Sequence, residues 1–134
     1  MPAAKETWKS ASTIEKKPWG ETKVWQTFGS IHGKIITIHE GQRTSLKYHK
    51  LKNEVFFVLH GKVRVIHGNS KTILNSEKNP YKMSTLVEGD VFTVQSECPY
   101  RFEAIEESQI IEIGDRYDDN PTRLEDDYGR SQKE

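Results

Sequence analysis

A chain of 134 residues is long enough to bury a sizeable core in one domain and leaves little room for a second. Its 20 Lys and Arg balance 20 Asp and Glu, so no net field draws it to nucleic acid or to a membrane surface, and a small molecule is the expected partner. The single cysteine, Cys98, excludes an intrachain disulfide and a CxxC metal pair; with no apolar run near the ~20 residues of a membrane span and no signal-peptide core in MPAAKETWKSAS, the expected location is the cytoplasm.

Residues 1–16 mix Lys, Glu, Ser and Ala around only two large apolar groups, Trp8 and Ile14, and read as an arm with at most one short helical turn. Trp8 either docks on the body or on a second subunit, or rides in a loose tail. Lys17-Pro18-Trp19-Gly20 then punctuates the chain before a strand at Glu21–Phe28. From Gly33 onward short β-rich runs recur: Lys34–His39, Arg43–His49, Glu54–His60, Lys62–His67, Met83–Val87, Val91–Gln95, Tyr100–Ile105 and Gln109–Ile113. That cadence predicts an all-β sandwich or barrel over residues 17–116. The run Val55-Phe56-Phe57-Val58-Leu59 is apolar on both faces, so one face should line the barrel and the other should meet a second layer or a subunit, with Glu54 on a central, buried strand. The polar stretch GNSKTILNSEKNPYK after His67 reads as a hairpin loop on one rim, with a short strand at Lys71–Leu74. Residues 117–134 turn acidic and lose the strand pattern. Tyr117, Leu124 and Tyr128 are this tail's docking residues, while Arg123 and Arg130 pair with carboxylates or bind an anion.

Chemistry concentrates between Gly41 and Gly61, GQRTSLKYHKLKNEVFFVLHG. Alternation along a strand points Lys47 and His49 the same way, and after the polar turn Lys50–Asn53 the next strand can return Glu54 beside them. An imidazole and a carboxylate aimed at one point form the start of a metal site, an acid/base pair, or a hydrogen-bonded polar pair.

These residues resemble the cupin superfamily. Its first motif runs Gly, five residues, His-x-His, three or four residues, Glu, six residues, Gly; Gly41, Lys47-Tyr48-His49, Glu54 and Gly61 keep the spacing, with Lys47 in the first histidine's place. Gly89-Asp90 and Val91–Val94 look like the opening of the second motif, in which Gln95 and Glu97 replace the usual proline and glycine and Tyr100 stands where a histidine belongs. Lys17-Pro18-Trp19-Gly20, Ser45-Leu46-Lys47-Tyr48-His49 and Arg123-Leu124-Glu125-Asp126-Asp127-Tyr128-Gly129-Arg130 are similar to the C-terminal cupin domain of type II mannose-6-phosphate isomerases, which is often fused to mannose-1-phosphate guanylyltransferases.

The resemblance implies a double-stranded β-helix, or jelly-roll, barrel that is usually dimeric. In that family a Gln, two His and a Glu hold a divalent metal such as zinc for aldose–ketose isomerisation. Only His49 and Glu54 match that ligand set, and an ammonium at Lys47 beside Glu54 would repel a divalent cation, so a Lys47–Glu54 ion pair is expected. His49 with Tyr100 also resembles the base and acid of metal-free cupin sugar epimerases. Arg130 matches the arginine that in the isomerase family engages the sugar phosphate, and Arg43 is a second candidate for substrate contact. His32, His39, His60 and His67 are expected at the surface or at strand edges, and Cys98 has no partner base visible in the sequence. The expectation is a homodimeric cupin that binds or isomerises a phosphorylated or nucleotide-linked sugar through Lys47, His49, Glu54 and Tyr100, with no cofactor or a divalent metal on His49 and Glu54. The alternatives are a sugar-binding or regulatory cupin without catalysis and a metal-independent epimerase.

Overall fold

The computed structural model describes residues 3–116 and 120–130, so Tyr117 lies outside the described residues. Eleven strands follow one another among them: β1 Thr13–Lys17, β2 Gly20–Val24, β3 His32–Ile38, β4 Leu46–Tyr48, β5 Glu54–His60, β6 Lys62–His67, β7 Lys82–Val87, β8 Val91–Val94, β9 Tyr100–Ala104, β10 Ser108–Gly114 and β11 Thr122–Glu125. They form two antiparallel sheets, ordered β1-β2-β3-β10-β5-β8 and β11-β4-β9-β6-β7. Among the described residues no helix is long and apolar enough to cross a membrane.

Alternation decides which side chains meet between the sheets. Phe56 and Val58 of β5, Val63 and Val65 of β6, Phe102 and Ala104 of β9, Ile110 of β10 and Ile36 and Ile38 of β3 all point inward and are buried. Phe56 and Phe102 meet edge-to-face at 4.9 Å, and each such fully buried apolar side chain contributes about 1.5–3 kcal/mol. Pairs such as β3 with β10 and β4 with β11 join strands far apart in sequence, so the chain crosses repeatedly between the sheets. Gly61, at φ +97°, makes one such crossing from β5 to β6, where an added Cβ would fall 2.3 Å from Ser108 Oγ.

Several boundaries differ from those the sequence suggests. The arm contributes a strand, because Thr13–Lys17 pairs along its whole length with Gly20–Val24 across the Pro18-Trp19 turn. Trp8 meets Phe28 edge-on, with ring centroids 5.5 Å apart. The tail also supplies a strand, β11, which pairs with β4. Arg43 and Arg101 both reach Asp127, and the Tyr128 hydroxyl donates to Gln42 Oε1 at 2.7 Å, so the tail lies against the barrel. Lys71–Leu74 is a turn, not a strand: the Asn69 side chain accepts from Lys71 N–H and closes the backbone locally.

The outer face of β5 is not covered by a second layer among the described residues. Val55, Phe57 and Leu59 remain 41%, 38% and 39% exposed.

Candidate functional site

Register builds the site from both sheets. In one sheet Glu112 of β10 stands between Lys34 and Phe56, and Gly114 stands between His32 and Glu54. In the other, Lys47 of β4 is flanked by Arg123 of β11 and Tyr100 of β9. These inward positions sit at one end of the barrel, where the row of apolar side chains gives way to charge. Glu54, His49, Tyr100, Glu112, His32 and Arg123 are all buried there.

The ion pair expected at Lys47 belongs instead to Lys52. Its ammonium lies 3.1 Å from Glu54 Oε2 and 3.2 Å from Glu112 Oε2, and its side chain is as buried as theirs. Two features aim it inward. Asn53 is pinned by Asp115, which accepts from its backbone N–H at 2.9 Å and from its side-chain amide at 2.7 Å. Gly114 leaves a slot for the lysine stem, since a Cβ there would come within 2.8 Å of Lys52 Cε. His32, expected at the surface, is buried and hydrogen-bonds Glu112 Oε2 through Nε2 at 3.0 Å.

Around Glu54 the contacts form a chain. The Tyr100 hydroxyl donates to Glu54 Oε1 at 2.6 Å, and His49 Nε2 approaches the same oxygen at 3.6 Å. The Lys47 ammonium rides over the Tyr100 ring, 4.7 Å from its centroid. Burial and the neighbouring Glu112 push the Glu54 carboxyl up to about 7, against the pull of Lys52, Tyr100 and Lys47. Burial brings Lys47 down to about 8 despite Glu54 and Glu112. Burial raises the Tyr100 hydroxyl well above its ordinary value, and the adjacent Glu54 adds to the shift. Burial also works against charge on Glu112 and Lys52, but Lys34, His32 and Lys52 hold Glu112 well below the usual carboxylate range, and Glu112 and Glu54 raise Lys52.

A cavity of about 290 Å³ opens onto this end of the barrel. Among the described residues Lys17, Lys34, Lys47, Lys52, Arg123 and Arg130 line it, against Glu15 and Glu112 of opposite charge. His49 and Tyr100 also face it, whereas Glu54 lies behind them, in contact with both. Of the two arginines singled out in the sequence, Arg130 lines the cavity with its guanidinium held by Asp126, at 2.8 Å from Oδ1, and Arg43 lies outside it, bound to Asp127 through two nitrogens. Glu97, standing where the second motif has glycine, adopts that residue's left-handed backbone at φ +70°. Its N–H donates to the His49 carbonyl at 2.7 Å and so fixes the loop that carries the imidazole.

The sequence profile described as "Mannose-6-phosphate isomerase C-terminal" matches residues 4–119. The chain belongs to that family. No curated protein sequence matches it. Among solved structures the cupin fold recurs in KdgF from Halomonas sp., with a TM-score of 0.65 at 15% identity, covering 80% of this chain and 90% of that one. The capsular polysaccharide assembling protein CapF from Staphylococcus aureus gives 0.72 at 13% identity over 89% of this chain and 33% of that one. A deletion mutant of the oxalate decarboxylase OxdC from Bacillus subtilis gives 0.72 at 17% identity over 84% and 30%. The chain thus spans about a third or less of CapF and of the oxalate decarboxylase. These likenesses establish the barrel.

The divalent metal that family resemblance implies does not fit this donor set. Two of the four corresponding positions are Lys47 and Tyr100, and the Glu54 carboxylate is already salted by Lys52. Among the described residues no three His, Cys, Asp or Glu side chains are grouped to hold a metal ion.

Proposed function

We propose that this cupin binds an anionic sugar, phosphorylated or nucleotide-linked, in the open end of its barrel and does so without a divalent metal. The observation that carries the reading is the charge of the cavity lining, six cationic side chains against two carboxylates among the described residues, in a volume of about 290 Å³. That volume lies at the small end of ligand pockets, which run from about 300 to 1,000 Å³. A phosphate placed between Lys34 and Lys47 gains charge-assisted hydrogen bonds, and the sugar ring then meets His49 and Tyr100. Arg130 joins only by exchanging Asp126 for the ligand. Calorimetric titration with mannose 6-phosphate, a nucleoside diphosphate sugar and unphosphorylated mannose tests this. Binding of a phosphorylated member, absent for mannose and weakened by salt, supports the reading; no binding by any of them refutes it.

A second reading adds catalysis, and the contact chain from His49 through Glu54 to Tyr100 favours it. His49 would take the proton next to the sugar carbonyl, and Tyr100, turning its hydroxyl from Glu54, would donate to the oxygen on which charge develops. Solvent deuterium entering the bound sugar phosphate, and lost in His49→Ala, is the expected sign. Failure to exchange leaves a binding protein only.

A further inference from the structure

We propose that the Lys52 ammonium is the barrel's own cation, a positioning residue that holds the Glu54 and Glu112 carboxylates in place of a bound metal ion. The inference deepens the reading of a metal-free pocket and rests on it only for what the pocket then binds. Two carboxylates with side-chain exposures of 1% and 4% need a counter-charge, because an unpaired buried ion costs several kcal/mol. Either oxygen reached by Lys52 is an Oε2, so the ammonium bridges the two acids instead of decorating one. The bridge is built by three separate parts of the chain: Asn53 sets the turn, Gly114 opens the slot, and His32 holds Glu112 from the far side.

A divalent ion entering here would collide with a fixed ammonium and compete with it for the same oxygens. Covalent attachment also means that the cation is never lost to a chelator. Its work is to keep Glu54 oriented so that Oε1 receives the Tyr100 hydroxyl and faces His49, while Oε2 stays neutralised. Lys47 is thereby left facing the cavity over the Tyr100 ring, where it can meet a ligand.

The test uses the whole chain and no sugar, so its outcome is separate from that of the ligand titrations. Zn²⁺ is titrated into chelator-dialysed wild-type protein, with metal analysis of the recovered sample. Thermal unfolding of wild type, Lys52→Ala and Lys52→Met is then followed with n-propylammonium, which matches the atoms deleted by the alanine substitution, and with tetramethylammonium as a salt control. The expected results are no Glu54-dependent Zn²⁺ uptake by wild type, and a Tm of Lys52→Ala raised by n-propylammonium about 4 °C more than that of wild type, with no such gain for Lys52→Met or from tetramethylammonium. One equivalent of Zn²⁺ bound by wild type and lost in Glu54→Gln overturns the proposal. So does a Lys52→Ala protein that responds to n-propylammonium no more than wild type. Should Lys52→Ala fail to fold, the wild-type titration still decides, and recovery of soluble variant on refolding with n-propylammonium replaces the Tm.

Discussion

Replacing Tyr100 by Phe removes one oxygen from the centre of the site and changes little else. Tyr100 and Phe102 meet edge-to-face at 5.6 Å and Tyr100 also packs on Phe56 at 5.4 Å, contacts that a phenylalanine keeps. What disappears is the 2.6 Å hydrogen bond to Glu54 Oε1, in a place where neither partner meets water. A hydrogen bond to a charged group is worth about 1.5–3 kcal/mol and one between neutral groups about 1 kcal/mol. The difference makes the effect of the substitution depend on pH. Glu54 titrates near 7 in the folded protein, above its ordinary 4.5. A carboxyl raised in this way contributes its stability in the protonated form, fully below 4.5, and loses it as pH rises through 7. The Tyr100 hydroxyl favours the ionised form, so its removal raises Glu54 further. Tyr100→Phe should therefore cost about 1 kcal/mol at about pH 5.5 and about 2–3 kcal/mol at about pH 8. Urea unfolding of both proteins at the two pH values measures it. An equal cost at both, or a larger cost at the lower pH, would show that the hydroxyl does not serve the carboxylate.

Three further outcomes follow from the geometry. Lys47 is brought down from 10.5 to about 8, so its contribution is present above 10.5 and lost as pH falls through 8; Lys47→Met should raise stability near neutral pH by about 1–3 kcal/mol while weakening sugar-phosphate binding, and unchanged urea midpoints would contradict the burial argument. Glu97→Gly relieves a left-handed backbone that a side chain disfavours and should gain about 0.5–1 kcal/mol in thermal unfolding; a loss would mean that the glutamate side chain stabilises the loop more than its conformation costs. Asp126→Asn releases the guanidinium of Arg130 into the cavity and should tighten binding of a sugar phosphate several-fold by calorimetry, whereas weakened binding would make Asp126 part of the ligand site.

The barrel was legible because its signals are periodic. Alternation in Glu54–His60 and the glycines at 41 and 61 specify a strand, a face and a turn, and the two sheets follow. The arm and tail strands were not, since β1 is TIEKK with almost no apolar face and β11 gains its place only by pairing with β4. Within the site, Lys47, His49 and Tyr100 line the cavity, and Glu54 lies behind His49 and Tyr100. Lys52 was missed because it sits in a polar turn, where nothing in the local sequence distinguishes an inward lysine from a solvated one. Glu112 carried no local signal: alternation puts Ile110 on its face and both Ile111 and Ile113 on the other, and only pairing with β3 and β5 turns the carboxylate inward. His32 follows from it, since a buried carboxylate on β10 requires donors from its neighbour β3.

Gly114 gives this arrangement a direction in sequence change. A side chain added there meets Lys52 before anything else, 2.8 Å from its Cε, so alanine at 114 must push the lysine stem aside while the lysine is present. Loss of the lysine alone takes the ammonium from Glu54 and leaves Glu112 to Lys34 and His32, which selects against that step in turn. The two positions therefore act as a latch: each holds the other in place, and in other chains of the family a lysine and a glycine at these two places should be gained or lost together.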